Sequence, residues 1–375
     1  MGEKVSIVRC LTYNYPQVLS GVRDVLKLLG GMRAYVRKGD KVLLKPNLLS
    51  AKHPNRWVTT HPLIVKAVAQ LVQEEGGTPS IGDSPAMGSI HRVASQTGMK
   101  KVADELGCHL MEFEKVAQIR TGYDYTFRRI ELAKAALETD VIINLPKVKT
   151  HGMMLLTIGV KNIFGCIPGI RKAQWHLKAG TDHSYFAGML VELCQIVKPT
   201  LTIVDGIVAM EGNGPSNGTP YPLGLILAGV NPLALDVTIS KILGVPPEKL
   251  PTTQAAQKRG FEGTDPEQIE VLGQRVEDIC SPNFRLPERF DLEWKLPVFI
   301  KRPLKKIFIP RPTVEGGRCT GCGTCADLCP PKAISLSGNK VSIDYSRCIR
   351  CYCCQEVCPE GAVYFKKGWA GRVAS

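Results

Sequence analysis

At 375 residues, with 44 % hydrophobic and 22 % charged side chains, the chain has ordinary globular composition and length for two or three domains. Its formal net charge of +14 favours acidic partners or anionic ligands, but with no C2H2, RRM or helix-turn-helix pattern and only 6 % aromatics, nucleic acid is not expected. No apolar run approaches the roughly 18 residues of a membrane span, MGEKVSIVRC has no apolar signal core, and a soluble cytoplasmic protein is expected.

Residues 1–280 alternate short apolar runs with helical periodicity, which predicts an α/β domain with a mostly parallel sheet and helices on both faces. Strands are expected at Ser6–Leu11, Lys41–Leu44, Ser80-Ile81, His109–Phe113, Asp140–Leu145, Leu201–Val204 and Leu223–Ala228. Helices are expected at Gln17–Leu29, Pro62–Glu75, Val102–Leu106, Met153–Phe164, Leu233–Leu243 and at Asp182–Val197, where the aspartate caps and Pro199 stops the run.

Polar residues gather where these strands end. Lys45-Pro46-Asn47, Gly82-Asp83-Ser84, Asn144 with NLPKVKTH, Asp205-Gly206 and Gly229-Val230-Asn231 each follow a strand, the position at which open parallel sheets bind ligands. Lys147, Lys149, His151, Lys161 and Asn162 concentrate positive charge and donors in one loop and helix, a pattern suited to a carboxylate or phosphate. Lys45, Asn47, Asp83, Ser84, Lys161, Asn162, Asp205, Glu211 and Asn213 are the candidate substrate-binding residues, with His151, Lys147, Lys149 and Cys166 as catalytic candidates. The bland alternatives are a solvated basic face for the lysines and a packed thiol for Cys166. The glycine-rich EGNGPSNGTP, Glu211–Pro220, reads as a functional loop or a long turn. No G-x-G-x-x-G follows a strand and no Walker A run is present; flavin or an additional metal stays possible but is not indicated.

Residues 281–315 turn proline-rich and basic, which reads as an extended connector. Within it Val298–Arg311 would either lie on a membrane surface or pin the last domain onto the first, the second being favoured because its prolines forbid a continuous amphipathic helix. In residues 316–375, Cys319, Cys322, Cys325 and Cys329 recur as Cys348, Cys351, Cys354 and Cys358 at a constant offset of 29 residues (348 − 319). Each set is C-x2-C-x2-C-x3-C-P, the run that bacterial-type ferredoxins use for two [4Fe–4S] clusters, where the fourth cysteine of each run ligates the other cluster. Cys319, Cys322, Cys325 and Cys358 would hold one, and Cys348, Cys351, Cys354 and Cys329 the other. Disulfides and zinc do not produce this doubled spacing. The six other cysteines are scattered, as suits a reducing compartment, and Cys353, wedged between two ligands, reads as a packed neighbour.

KPNLL (Lys45–Leu49), GDSP (Gly82–Pro85), NLPKVKTH with KNIFG (Asn144–Gly165), DGIVAMEGNGP (Asp205–Pro215) and NPLALD (Asn231–Asp236) resemble the prokaryotic family catalogued as domain of unknown function 362. The resemblance implies the domain order found here, often with a C-terminal two-cluster module, and names no reaction. Taken together these features predict an iron–sulfur oxidoreductase of anaerobic type, passing electrons between a redox partner protein (a ferredoxin or oxidoreductase) and an anionic small molecule at the strand ends, with His151 as candidate proton donor. A non-catalytic electron carrier or assembly factor that docks a partner, and a ligase, lyase or transferase with structural clusters, are the alternatives.

Overall fold

The computed structural model describes residues 2–169, 171–180, 182–287 and 310–366. Strands β1 (Glu3–Arg9), β2 (Lys41–Pro46), β3 (Thr78–Gly82) and β4 (His109–Met111) alternate with α1 (Tyr15–Lys27), α2 (Pro62–Glu74), and the pair α3 (Ile90–Thr97) and α4 (Met99–Leu106). After a hairpin of β5 (Val116–Arg120) and β6 (Arg129–Ala133) and a single turn, α5 (Lys134–Leu137), come β7 (Val141–Leu145), β8 (Lys147–His151) and β9 (Leu155–Thr157). Next are α6 (Gly159–Asn162), α7 (Arg171–Ala179), α8 (His183–Val197), β10 (Leu201–Glu211), β11 (Thr219–Tyr221), β12 (Leu225–Gly229), α9 (Pro232–Ile242), α10 (Pro251–Gln257) and β13 (Ile269–Gly273). Helix starts follow local chemistry. Proline opens α1, α2 and α9, where its missing N–H costs nothing, and the Asp182 and Asn231 side chains accept from the first free amides of α8 and α9.

The sheet runs β13-β1-β12-β10-β7-β2-β3-β4. Every neighbouring pair in that order is parallel except those of β12, which is antiparallel to both β1 and β10. The mostly parallel sheet expected from the alternation is therefore present, with β12 returning by the short loop after β11. Adjacent residues of β2 point to opposite faces, as the two-residue period requires. Leu44 packs with Val22, Val68 and Val102 beneath the first four helices, whereas Leu43 packs with Val160, Phe186 and Leu190 on the other side. Both faces are covered, so each central strand is apolar throughout.

Three local readings change. The KVKTH run is strand β8, buried along its whole length, rather than a loop. Pro146 interrupts pairing after β7, and β8 resumes it against β10, with Asp205 opposite Lys147. For the same reason β10 extends to Glu211, which places Asp205 inside a strand rather than beyond its end. The helix expected at Met153–Phe164 is split: Leu155–Thr157 doubles back on β8, with Leu155 at φ 67, and only then does α6 begin. The Asp236 carboxylate accepts from the Gly159 and Val160 amides (2.7 and 3.4 Å) and so starts that helix.

The cysteine-rich end folds as two antiparallel strand pairs, β14 (Arg311–Val314) with β17 (Val363–Lys366) and β15 (Ile334–Ser337) with β16 (Lys340–Ile343). Its sequence repeat is a repeat of hydrogen bonds as well. Glu315 N–H to Ala362 O matches Asp344 N–H to Ala333 O, and Ala333 N–H to Cys329 Sγ matches Ala362 N–H to Cys358 Sγ, the latter two both at 3.2 Å. Of the expected connector, Arg285 is held on Glu211 by its backbone amide (2.8 Å) and its Nε (2.7 Å); most of Val298–Arg311 lies outside the described residues.

Glu192, 1 % exposed on α8, ties this half of the domain together by accepting from the Thr126 and Phe127 amides (2.8 and 3.0 Å) while pairing with Arg259. Glu192→Ala strands those donors and the guanidinium, and should lower the unfolding free energy by about 3 kcal/mol in a urea titration; a loss below about 1 kcal/mol would contradict this account.

Candidate functional site

Three lysines expected to face a ligand are almost fully buried: Lys45 and Lys147 have no exposed area and Lys149 has 1 %. A buried ammonium must find acceptors, and each does. Lys45 pairs with Asp83 at 2.9 Å, and the second Asp83 oxygen accepts from the Leu48 amide at 2.8 Å. Lys147 donates to Asp205 (2.9 Å) and Tyr13 Oη (2.6 Å), and Tyr13 donates to the other Asp205 oxygen. Lys149 meets only neutral acceptors, Asn47 Oδ1 at 2.8 Å and Val58 O at 2.6 Å. Burial without a contacting carboxylate pushes it down to about 7. Asn162, whose amide donates to Asn144 Oδ1 and Lys45 O and accepts from Asn47 Nδ2, links β2, β7 and α6 in the same network.

Beside this network lies a cavity of about 720 Å³. Asn47, Asp83, Ser84, Lys161 and Asn162, all among the candidates, line it, together with Lys172 and His176 of α7. Its far wall belongs to the cysteine module: Leu328, Cys353, Glu356 and Val357. Lys161 has no hydrogen bond or ion pair among the described residues; its Nζ sits 4.9 Å from the Phe164 ring and 5.9 Å from that of Phe186. Burial lowers it, against the raising influence of Glu356. Lys172 donates to the Ser84 and Pro85 carbonyls, and burial brings it down to about 8. His176, buried and pushed down to about 3 by desolvation, is neutral, and its Nδ1 has no hydrogen-bond partner among the described residues. Gly165 is where this wall tolerates no side chain: a Cβ there would collide with Asp83 Oδ1 and lie 2.5 Å from Lys45 Nζ.

The helix Cys353–Val357 is what brings the module here. Gln355 Nε2 donates to Asn213 O, Asn213 Oδ1 and Gly214 O (2.9, 3.1 and 3.2 Å), while Ser216 and Asn217 donate to the Glu356 and Gln355 carbonyls. Gly212–Asn217 of the glycine-rich loop is thus a docking surface for the module. Glu356 reaches inward, and its carboxylate lies 2.9 Å from His151 Nε2. The other His151 nitrogen accepts from the Met153 and Met154 amides (3.0 and 3.2 Å), which puts the ring proton on Nε2, facing Glu356. Burial alone would raise Glu356, but the hydrogen bond from His151 and the positive charge of Lys161 hold it at about 2.

The eight repeat cysteines separate into two groups of neighbours. Cys319, Cys322, Cys325 and Cys358 line one space of about 340 Å³, and Cys329, Cys348, Cys351 and Cys354 line another of about 310 Å³. Each fourth cysteine has crossed to the other run, the arrangement that the spacing predicts for a pair of [4Fe–4S] clusters. The Cys329 and Cys358 sulfurs already accept from the Ala333 and Ala362 amides, which stabilises thiolates, and the Cys322 thiol donates to Thr324 Oγ1 at 3.4 Å. The residues present therefore fit the two clusters.

Not every candidate reaches the cavity. Asp205 is committed to Lys147, and Glu211 pairs with Arg285 at 2.6 Å. Asn213 accepts from the module, and Cys166 is buried with its thiol pushed up to about 11. Among the described residues no three His, Cys, Asp or Glu side chains converge on a single ion. Lys172 and His176 escaped notice because α7, RKAQWHLKA, is short and too polar in composition to mark a buried helix, and Glu356 because its role needs the docked interface.

Fold and site define an α/β protein with a two-cluster iron–sulfur module seated on its strand ends. The profile described as "Domain of unknown function (DUF362)" matches residues 42–241, and one described as "4Fe-4S dicluster domain" matches residues 318–362. The chain belongs to the DUF362 family. A thylakoid-associated protein of Synechocystis sp. (strain PCC 6803) is 42 % identical over 310 residues, 82 % of this chain and 96 % of the relative. Among solved structures, the lactate racemase apoprotein from Thermoanaerobacterium thermosaccharolyticum aligns with 61 % of this chain at TM-score 0.39 and 11 % identity. A Thermotoga maritima protein aligns with 54 % of it at TM-score 0.33 and 14 % identity. The chain spans about half the length of either, 54 % and 52 %.

An anion bound beside Lys172 needs its ammonium form. Because that amine is held near 8 rather than at its ordinary 10.5, sulfate affinity measured by calorimetry should fall by up to about tenfold per pH unit above about pH 8. Affinity that stays constant up to pH 10 would remove Lys172 from the site.

Proposed function

We propose that the protein is an iron–sulfur oxidoreductase in which an anionic small molecule, substrate or cofactor, occupies the cavity between the α/β domain and the cysteine module and exchanges electrons with it. The observation that carries this reading is the composition of the cavity's two walls: free or weakly held amines on one, Cys353 and its cluster-bearing helix on the other. The clusters, when bound, supply electrons one at a time.

Lys161 and Lys172 hold the anion, Lys161 because no protein carboxylate hydrogen-bonds its Nζ and Lys172 because only carbonyls do. Asn162 and Ser84, which also line the cavity, fix the position of that ligand, and Asp83 compensates the charge of Lys45. Neutral His176 offers Nδ1 to the ligand. His151 acts through Glu356, since its one ring proton points there. Lys147 and Lys149 are positioning residues: they keep β8 in the sheet and Asn47 at the cavity mouth. Three parts serve this function, an α/β domain over 1–280, a connector over 281–315 and the cluster module over 316–375. The location we propose is the cytoplasm. The relative's name makes a thylakoid-like membrane face the alternative, which fractionation of the expressing cell separates; no helix among the described residues is long and apolar enough to cross a membrane.

Lys161→Ala and Lys172→Ala should each weaken sulfate binding ten- to a hundredfold, the loss of one charge-assisted hydrogen bond of about 1.5–3 kcal/mol, with the cluster absorbance unchanged. Unaltered binding in both variants would sink the cavity as an anion site, and clusters that no accessible potential reduces reversibly would sink the oxidoreductase reading. Lys147→Ala, by contrast, leaves Asp205 buried without its cation and should act on stability, lowering the unfolding free energy by about 3 kcal/mol.

A further inference from the structure

The two cysteine sets have different surroundings. In the first, Cys322 is exposed, Cys319 and Cys358 are half-buried and Cys325 alone is buried; in the second, Cys329, Cys351 and Cys354 are buried and Cys348 alone is half-buried. Cys353 lines both the space of the second set and the ligand cavity, whereas among the described residues none lines both the cavity and the space of the first set. One set therefore faces outward and the other faces the cavity.

The outward face is shaped to stay open. Gly321 and Gly323 adopt left-handed φ values of 68 and 76, and a Cβ at Gly321 would approach Asn339 Cα to 2.8 Å, so the loop lies against the β15–β16 hairpin without covering Cys322. Leu336, 41 % exposed, packs beside Gly323 and gives the patch an apolar centre. Arg318 and Lys340 are exposed on its rim; Glu315 on the same rim faces Arg318 at 3.7 Å. The chain's +14 formal charge becomes about +10 with two oxidised clusters, which still steers a negatively charged protein toward it. A small apolar centre with a charged rim suits the short-lived complexes of electron carriers, which bury less than about 1,200 Å².

We propose that the face formed by Arg318–Gly323, Leu336 and Lys340 is the docking site of an acidic one-electron carrier protein, and that the Cys329/Cys348/Cys351/Cys354 set, through Cys353, is the side that serves the cavity. Each encounter oxidises the carrier by one electron and reduces the chain by one at the Cys319 side. The second half of this proposal rests on the cavity being the ligand site; the first half does not.

The reduced holoprotein tests it by electron paramagnetic resonance. Thr324→Ala removes the hydroxyl 3.4 Å from Cys322 Sγ and marks the first set by shifting its midpoint potential, since hydrogen bonds to sulfur tune it; Cys353→Ser marks the second. A soluble dysprosium(III) chelate should speed the relaxation of the Thr324-marked signal several-fold more than that of the Cys353-marked signal. Equal enhancement, or the reverse order, overturns the assignment of the two sides. In stopped flow, Arg318→Glu with Lys340→Glu should slow reduction by an acidic plant-type [2Fe–2S] ferredoxin at least about tenfold at low salt and leave reduction by viologen radical unchanged. An unchanged ferredoxin rate overturns the docking face. Loss of the cavity reading alone, seen as sulfate binding indifferent to Lys161 and Lys172, would leave the relaxation and stopped-flow results unchanged.

Discussion

A charge taken out of water must be met by another or by well-placed dipoles, and this domain buries three ammonium groups at the ends of its central strands. The ion pairs and hydrogen bonds that answer this demand join segments far apart in sequence: Lys45 to Asp83 across β2 and β3, Lys147 to Asp205 and Tyr13 across β8, β10 and the N-terminal loop, and Lys149 to Asn47 and Val58. An uncompensated charge in that position would cost several kcal/mol, so the strand ends are held in one arrangement. The cavity draws on that rigidity, because Asp83 and Asn47 of this network line it.

With the internal cations satisfied, the site reduces to the few that are not. Lys161 and Lys172 sit on α6 and α7, the elements that follow the β8–β9 hairpin, and both face the cysteine module. The module in turn is anchored by the Asn213 and Gly214 carbonyls and by the Asn213, Ser216 and Asn217 side chains, so the loop contributes both its irregular main chain and particular side chains. Glu356 completes the interface from the other direction: it brings a carboxylate into a region otherwise rich in amines and imidazoles. The α/β domain and the module thus each lack what the other supplies.

Much of the architecture was legible beforehand. The alternation of apolar runs with helical patterns led to a mostly parallel sheet, and Asp182 marks a helix start because its side chain acts on amides only two or three residues away. The errors cluster where tertiary context outweighs local signals. KVKTH has the composition of a solvated loop, yet it forms a buried strand because β10 runs past the end of β7 and offers both ladder partners and Asp205. Met153–Phe164 has helical composition, yet its first residues pair with β8.

The sequence by itself determined the two cluster sites, since ligand spacing within a tight loop and a 29-residue repeat (348 − 319) are covalent facts that folding only brings together. It also determined which segments crowd the strand ends. Only the tertiary structure decided which lysines pair with a neighbouring carboxylate and which do not, because that depends on pairings such as 147 with 205 that no local pattern encodes. It also decided that Cys353, a spare residue in the repeat, stands between the buried cysteine set and the cavity.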